Sequence, residues 1–100
     1  MISVQQKIAV LTDIGASSLV EQTINKLIAM QIARYQQAIQ QITPDILAFE
    51  QRFQMSSAEG YQRFNAGELG DSADVFEWVS LYENVALYQQ RIHMLRGAMA

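Results

Sequence analysis

The sequence contains no cysteine and only one histidine, and these shortages exclude several kinds of chemistry. Without cysteine the chain has no disulfide and no thiol nucleophile, and His93 is its only soft metal ligand. Its seven basic residues are scattered over a chain of net charge −3, which is a poor electrostatic footprint for nucleic acid. We therefore predict no catalytic set, no cofactor and no metal site, and we expect no binding to nucleic acid by this chain alone.

Long apolar runs are missing as well. The first ten residues, MISVQQKIAV, lack the basic and apolar segments of a secretion signal, and no stretch approaches about 20 apolar residues. These absences predict a cytoplasmic protein with no membrane partner. One hundred residues correspond to one domain, and the apolar half of the composition favours a folded chain over a disordered one.

Helix breakers are rare, since the chain has one proline and five glycines, and long gaps between breakers predict long helices. Abundant glutamine, a good helix former, supplies the polar faces. We predict an all-α protein with one helical domain over 1–100. Its parts are an N-terminal arm (1–16), a long helix (17–54), a short helix (56–66) and a C-terminal helix (72–97).

Residues 2–14 fit two patterns. Their apolar residues fall on alternate positions, as in a strand, but Val4, Ile8 and Leu11 also share one face of a helix. A helix is favoured because no partner strand is visible elsewhere. Gly15 then provides the turn into the long helix, and Ser18 with Glu21 forms a predicted capping box.

The two longest helices carry apolar seams with heptad-like spacing, which is typical of coiled coils. Pro44 lies within the first seam, where it either kinks one helix or begins a new helix capped by Thr43. An unbroken helix over 18–54 would be about 55 Å long, too long for one small chain to cover. We therefore predict a helical hairpin within an intertwined homodimer, of undetermined strand direction. The predicted interface residues are Ile24, Ile28, Ile32, Tyr35, Ile39, Ile42, Trp78, Leu81, Val85, Tyr88, Ile92 and Leu95.

The stretch FNAGELGDSADVFEW, residues 64–78, concentrates four carboxylates: Glu68, Asp71, Asp74 and Glu77. Oxygen ligands of this kind can hold calcium or magnesium, but the spacing is not that of an EF-hand. Acidic residues are also favoured in the first turn of a helix. The structural interpretation is preferred, with Gly67 as a helix stop and Asp71 or Ser72 as the cap of the last helix. Serines at the other predicted helix starts, such as Ser56 with Glu59, are interpreted as caps in the same way.

Residues 55–83 resemble a family of short bacterial helical proteins with the signature GM-S-S-E-E-F-x-x-R-F-x-x-G-E-L-G-D-D-x-D-x-x-E-W-x-x-L-Y-E. The match departs at Gly60, where the signature has glutamate or phenylalanine, and Pro44 interrupts a helix that is usually continuous. The resemblance implies an antitoxin-like role, since some members are the small partner in two-gene, toxin–antitoxin-like modules. The matching residues are Met55, Ser56, Ser57, Glu59, Arg63, Phe64, Gly67, Glu68, Leu69, Gly70, Asp71, Asp74, Glu77, Trp78, Leu81, Tyr82 and Glu83.

Three functions follow from these patterns. The favoured one is a non-enzymatic protein-interaction module, a homodimer whose acidic surface suits a basic partner such as a toxin. The first alternative is a DNA-binding regulator that uses residues 5–28 as a helix-turn-helix, although that segment offers few positive charges. The second is a metal-dependent enzyme centred on the acidic stretch.

Overall fold

The protein is described by a computed structural model over residues 1–99, and it is all-α. Within this range the chain forms four helices and no strand. The all-α prediction is therefore confirmed, and the helical hairpin is formed by the two longest helices, α2 and α4. The helices are α1 (Val4–Asp13), α2 (Ser17–Phe53), α3 (Ser57–Asn65) and α4 (Ala73–Met99).

A capping box at Ser3 makes the first segment helical and resolves the choice between helix and strand. The Ser3 hydroxyl accepts a hydrogen bond from the Gln6 amide at 3.1 Å, and the Gln6 side chain accepts one from the Ser3 amide at 2.8 Å. This reciprocal pair satisfies two amides that an open helix end would leave without partners. Gly15, with φ of +92°, then turns the chain into α2.

The other two predicted capping boxes are wrong or incomplete. The cap position of α2 is Ala16, which makes no side-chain hydrogen bond, and Ser18 lies inside the helix. Ser56 does accept from the Glu59 amide at 3.1 Å, but the Glu59 carboxylate binds Arg63 at 2.9 Å. A capping box requires the side chain three positions after the cap to accept a hydrogen bond from the cap residue's amide, and neither Glu21 nor Glu59 does so.

Pro44 neither ends nor restarts the long helix. Helix α2 continues through it to Phe53, so the apolar seam stays on one face. The Thr43 hydroxyl donates to the Ile39 carbonyl at 2.7 Å, one turn earlier, and therefore acts as a residue inside a helix and not as a cap.

The hairpin is joined by aromatic contacts along its length. Near its middle, the rings of Tyr35 and Tyr88 lie 5.4 Å apart between their centroids. Helix α3 packs on α4 through Tyr61 against Tyr82, with centroids 5.1 Å apart. Helix α1 packs mainly on the first part of α2. None of the helices in residues 1–99 is both long and apolar enough to cross a bilayer.

The buried core is small for a chain of this size. In residues 1–99 the buried hydrophobic residues are Val75, Trp78, Val79 and Ile92, and all four belong to α4. The molecule measures 60 × 25 × 21 Å and its radius of gyration is 19.9 Å, whereas a compact chain of 100 residues has about 13 Å. Because the hairpin is long and thin, much of each seam remains only half-buried.

Helix α4 is capped by Ser72, not Asp71: the Ser72 hydroxyl accepts from the Val75 amide at 3.2 Å. We expect Ser72→Ala to lower the free energy of unfolding by about 1 kcal/mol, because that amide loses its partner. Asp71→Ala removes only an exposed charge near the helix start, for which about 0.5 kcal/mol is expected. Urea denaturation followed by the fluorescence of Trp78, the sole tryptophan, measures both. A larger cost for Asp71→Ala would contradict this assignment.

Candidate functional site

The most densely packed part of the molecule is where α2, α3 and α4 meet, which we call the elbow cluster (Glu50, Phe53, Ser57, Gly60 and Trp78). Trp78 is 1% exposed, and its indole Nε1 donates to the Ser57 hydroxyl at 2.9 Å. The Ser57 hydroxyl and amide both donate to Glu50 Oε2, each at 2.8 Å. One carboxylate at the end of α2 thus holds the start of α3, which in turn holds α4.

Stacking and a close backbone approach complete the elbow cluster. The Phe53 and Trp78 rings are nearly parallel, at 5° and 5.0 Å between centroids. Trp78 also lies close to α3: a Cβ at Gly60 would lie 2.2 Å from Cη2 of the Trp78 ring. The indole therefore rests directly on the backbone of α3. The sequence showed Ser57 as a match to the family signature and Gly60 as a departure from it; in the structure both contact Trp78.

The elbow cluster is a closed structural joint. In residues 1–99 no buried side-chain nitrogen or oxygen lacks a hydrogen-bond partner, so the cluster has no buried polar group left for a ligand. Its hydrogen bonds connect α2, α3 and α4.

The acidic stretch does not gather its carboxylates. Asp74 pairs with Arg52 at 2.5 Å and so ties the start of α4 to the end of α2, while Glu68, Asp71 and Glu77 are exposed. Across residues 1–99 no three histidine, aspartate or glutamate side chains come close enough to share a metal ion. The stretch works as a turn, in which Gly67 and Gly70 have φ of +75° and +76°. Leu69 between them is half-buried.

The predicted interface residues lie along the inside of the hairpin, where the two seams face each other in one chain. Trp78 and Ile92 are buried, Ile24 is exposed, and the other nine are half-buried. Arg91 donates to the Tyr35 hydroxyl at 3.3 Å across this seam. The Gln31 side chain is the main cause that lowers the pKa of Tyr35, and Arg91 lowers it further against the opposing effect of desolvation.

A second apolar surface lies between α1 and the start of α2, and it meets the first seam at Ile24. It encloses a groove of about 320 Å³. We call it the N-terminal apolar surface; it consists of Val4, Ile8, Leu11, Leu19, Val20, Ile24 and Leu27. Five of these side chains are exposed by 38% or more, including Val4 at 68%, Leu19 at 61% and Leu27 at 59%.

Apart from Ile24, sequence reasoning missed the α2 half of this surface. A signal for it was present, because Val20, Thr23, Leu27 and Met30 follow each other at intervals of 3, 4 and 3. This second stripe runs beside the isoleucine seam, whose longer and more regular spacing gave the stronger signal. A helix with two apolar stripes has more than one packing partner to satisfy.

Charge is divided unevenly between the two ends of the molecule. Residues 1–30 carry Lys7, Lys26, Asp13 and Glu21, which sum to zero. Residues 45–83 carry eight acidic and two basic side chains, which sum to −6. The end that holds α1 is apolar and also holds the end of α4, where Arg91 and Arg96 add +2. The end with the elbow cluster is strongly acidic.

The geometry defines the chain as an all-α helical-hairpin protein with an uncovered apolar surface. No protein-family model, curated protein or solved structure matches the chain. The resemblance of residues 55–83 to a bacterial helical family thus stays a prediction.

Proposed function

We propose that the protein is a non-enzymatic interaction module that acts as a homodimer and binds a basic partner protein. The observation that carries the proposal is the uncovered apolar area. The accessible surface of the chain is 7381 Å², whereas a compact monomer of 11.3 kDa exposes about 5,700 Å². Isolated apolar residues on a surface are ordinary, but a contiguous apolar surface of this kind marks a binding site.

The acidic end supports the second half of the proposal. A net charge of −6 over residues 45–83 attracts a basic protein and speeds its approach at low salt. The antitoxin-like role implied by the family resemblance fits this arrangement, because a small acidic chain would cover a basic toxin. The cytoplasm is the location that such a pairing requires.

Light scattering coupled to size exclusion tests the dimer. At 100 µM we expect a mass of about 23 kDa, twice that of the 11.3 kDa chain. A single species of about 11 kDa at that concentration would overturn the proposal.

The partner is tested with the purified product of the adjacent gene. Binding should weaken at least about tenfold between 50 and 500 mM salt if the acidic end makes the contact, since exposed charges are screened.

A further inference from the structure

The side chains of the N-terminal apolar surface remain largely exposed, because packing within one chain does not cover them. Helix α1 has 10 residues and none of them is buried. An isolated helix shorter than about 12 residues is marginal in water, so α1 requires cover beyond what α2 provides. The side chains of α1 that line the groove are themselves poorly covered: Val4 is 68% exposed and Leu11 is 40% exposed.

The amount of uncovered surface is more than a dimer interface needs. The chain exposes about 1,700 Å² more than a compact monomer of its mass, and a stable interface of standard size covers about 800 Å² on each partner. The N-terminal apolar surface contributes to this excess, and it is both contiguous and grooved. A helix pair from another chain would fill the groove with side chains of the same kind that line it.

The charges favour a second copy as the occupant over a basic partner. Residues 1–30 sum to zero charge, and Arg91 and Arg96 of α4 add only +2 at this end. Two copies therefore repel each other much less there than two acidic ends carrying −6 each would. A strongly basic protein would find no opposite charge on this surface. A self-complementary patch of this kind also satisfies the two-fold symmetry that most homodimers have.

We infer that the homodimer forms through the N-terminal apolar surface, with α1 and the first part of α2 of one copy packing on the same elements of the other. This inference rests on the proposed homodimer and specifies its face. It leaves the acidic end of each copy free, at the far end of the molecule, for the basic partner.

Two leucines of α2 provide a matched test. Leu27 lies in the N-terminal apolar surface and is 59% exposed, while Leu47, at the other end of α2, is 52% exposed. By sedimentation equilibrium we expect Leu27→Glu to weaken dimerisation about 30-fold or more, because it places a charge inside an apolar interface. Leu47→Glu should change the dissociation constant by less than about threefold. A second variant, Val4→Glu, should weaken dimerisation as Leu27→Glu does.

The controls separate this inference from the proposed function. Trp78 fluorescence reports on the elbow cluster, and it should be unchanged in Leu27→Glu and in Val4→Glu, which shows that the hairpin is intact. A wild-type chain that stays monomeric at 100 µM would overturn the proposed function itself. A wild-type dimer that Leu47→Glu weakens as much as Leu27→Glu, or that Leu27→Glu and Val4→Glu leave intact, would overturn only the face inferred here.

Discussion

Trp78→Ala is expected to lower the free energy of unfolding by about 3–5 kcal/mol, the range found when a large buried aromatic side chain is truncated. Trp78 is 1% exposed, and it touches elements on both sides of the elbow. Its removal leaves a cavity beside Phe53 and deprives the Ser57 hydroxyl of a donor. Small domains are stable by about 5–15 kcal/mol, so this single change removes a large share of the total.

Phe76→Ala is the matched control for Trp78→Ala, since Phe76 is an aromatic residue of the same helix that is 49% exposed. It makes an edge contact with Phe64 at 5.4 Å, so a cost of about 1 kcal/mol is expected. Urea denaturation followed by circular dichroism measures both variants, at one fixed chain concentration because the proposed dimerisation would also contribute to stability. Equal costs for the two variants would show that Trp78 is not the centre of the elbow cluster.

Gly60→Ala is expected to destabilise the protein by about 2–3 kcal/mol, although alanine is the better helix former. The new methyl carbon would lie 2.2 Å from Cη2, 2.7 Å from Cζ3 and 2.8 Å from Cζ2 of the Trp78 indole. That ring is stacked on Phe53 and hydrogen-bonded to Ser57, so it cannot move aside without losing one of these contacts. The short helix would therefore be pushed away from α4.

Gly97→Ala controls for helix propensity alone. Gly97 lies in α4 with open space around the position of a Cβ, so this variant should gain up to about 1 kcal/mol. Trp78→Phe provides a second check, because it removes the outer indole atoms that meet Gly60. In that background Gly60→Ala should cost at least about 1 kcal/mol less than in the wild type. Additive costs would mean that Trp78 is not the obstacle.

Gly60 also bears on the family resemblance. The signature has glutamate or phenylalanine at this point, and neither fits between α3 and the Trp78 ring seen here. A chain that carries the larger residue must hold its tryptophan in another position or at another distance from α3.

The helices themselves could be predicted because their signals are local. Few breakers, a 3.6-residue period and turn glycines such as Gly15 and Gly67 act within one or two turns of chain. The caps were less predictable, since several serines compete at each helix start. At α2 neither Ser17 nor Ser18 supplies the cap, and at α4 Ser72 supplies it in place of its neighbour Asp71.

The contacts between distant residues could not be read from any local pattern. The heptad seams show that Trp78 and Phe53 are apolar and regularly placed, but periodicity is the same whether a seam meets its own chain or another. In the structure the seam of α2 packs against the seam of α4 within one hairpin. The hydrogen bond from Trp78 to Ser57 depends on the short turn that places the start of α3 beside α4. Apolar periodicity thus predicted how many helices form and which of their faces are apolar. The pairing of those faces, and the N-terminal apolar surface that the pairing leaves uncovered, depend on side chains brought together from far apart in the chain.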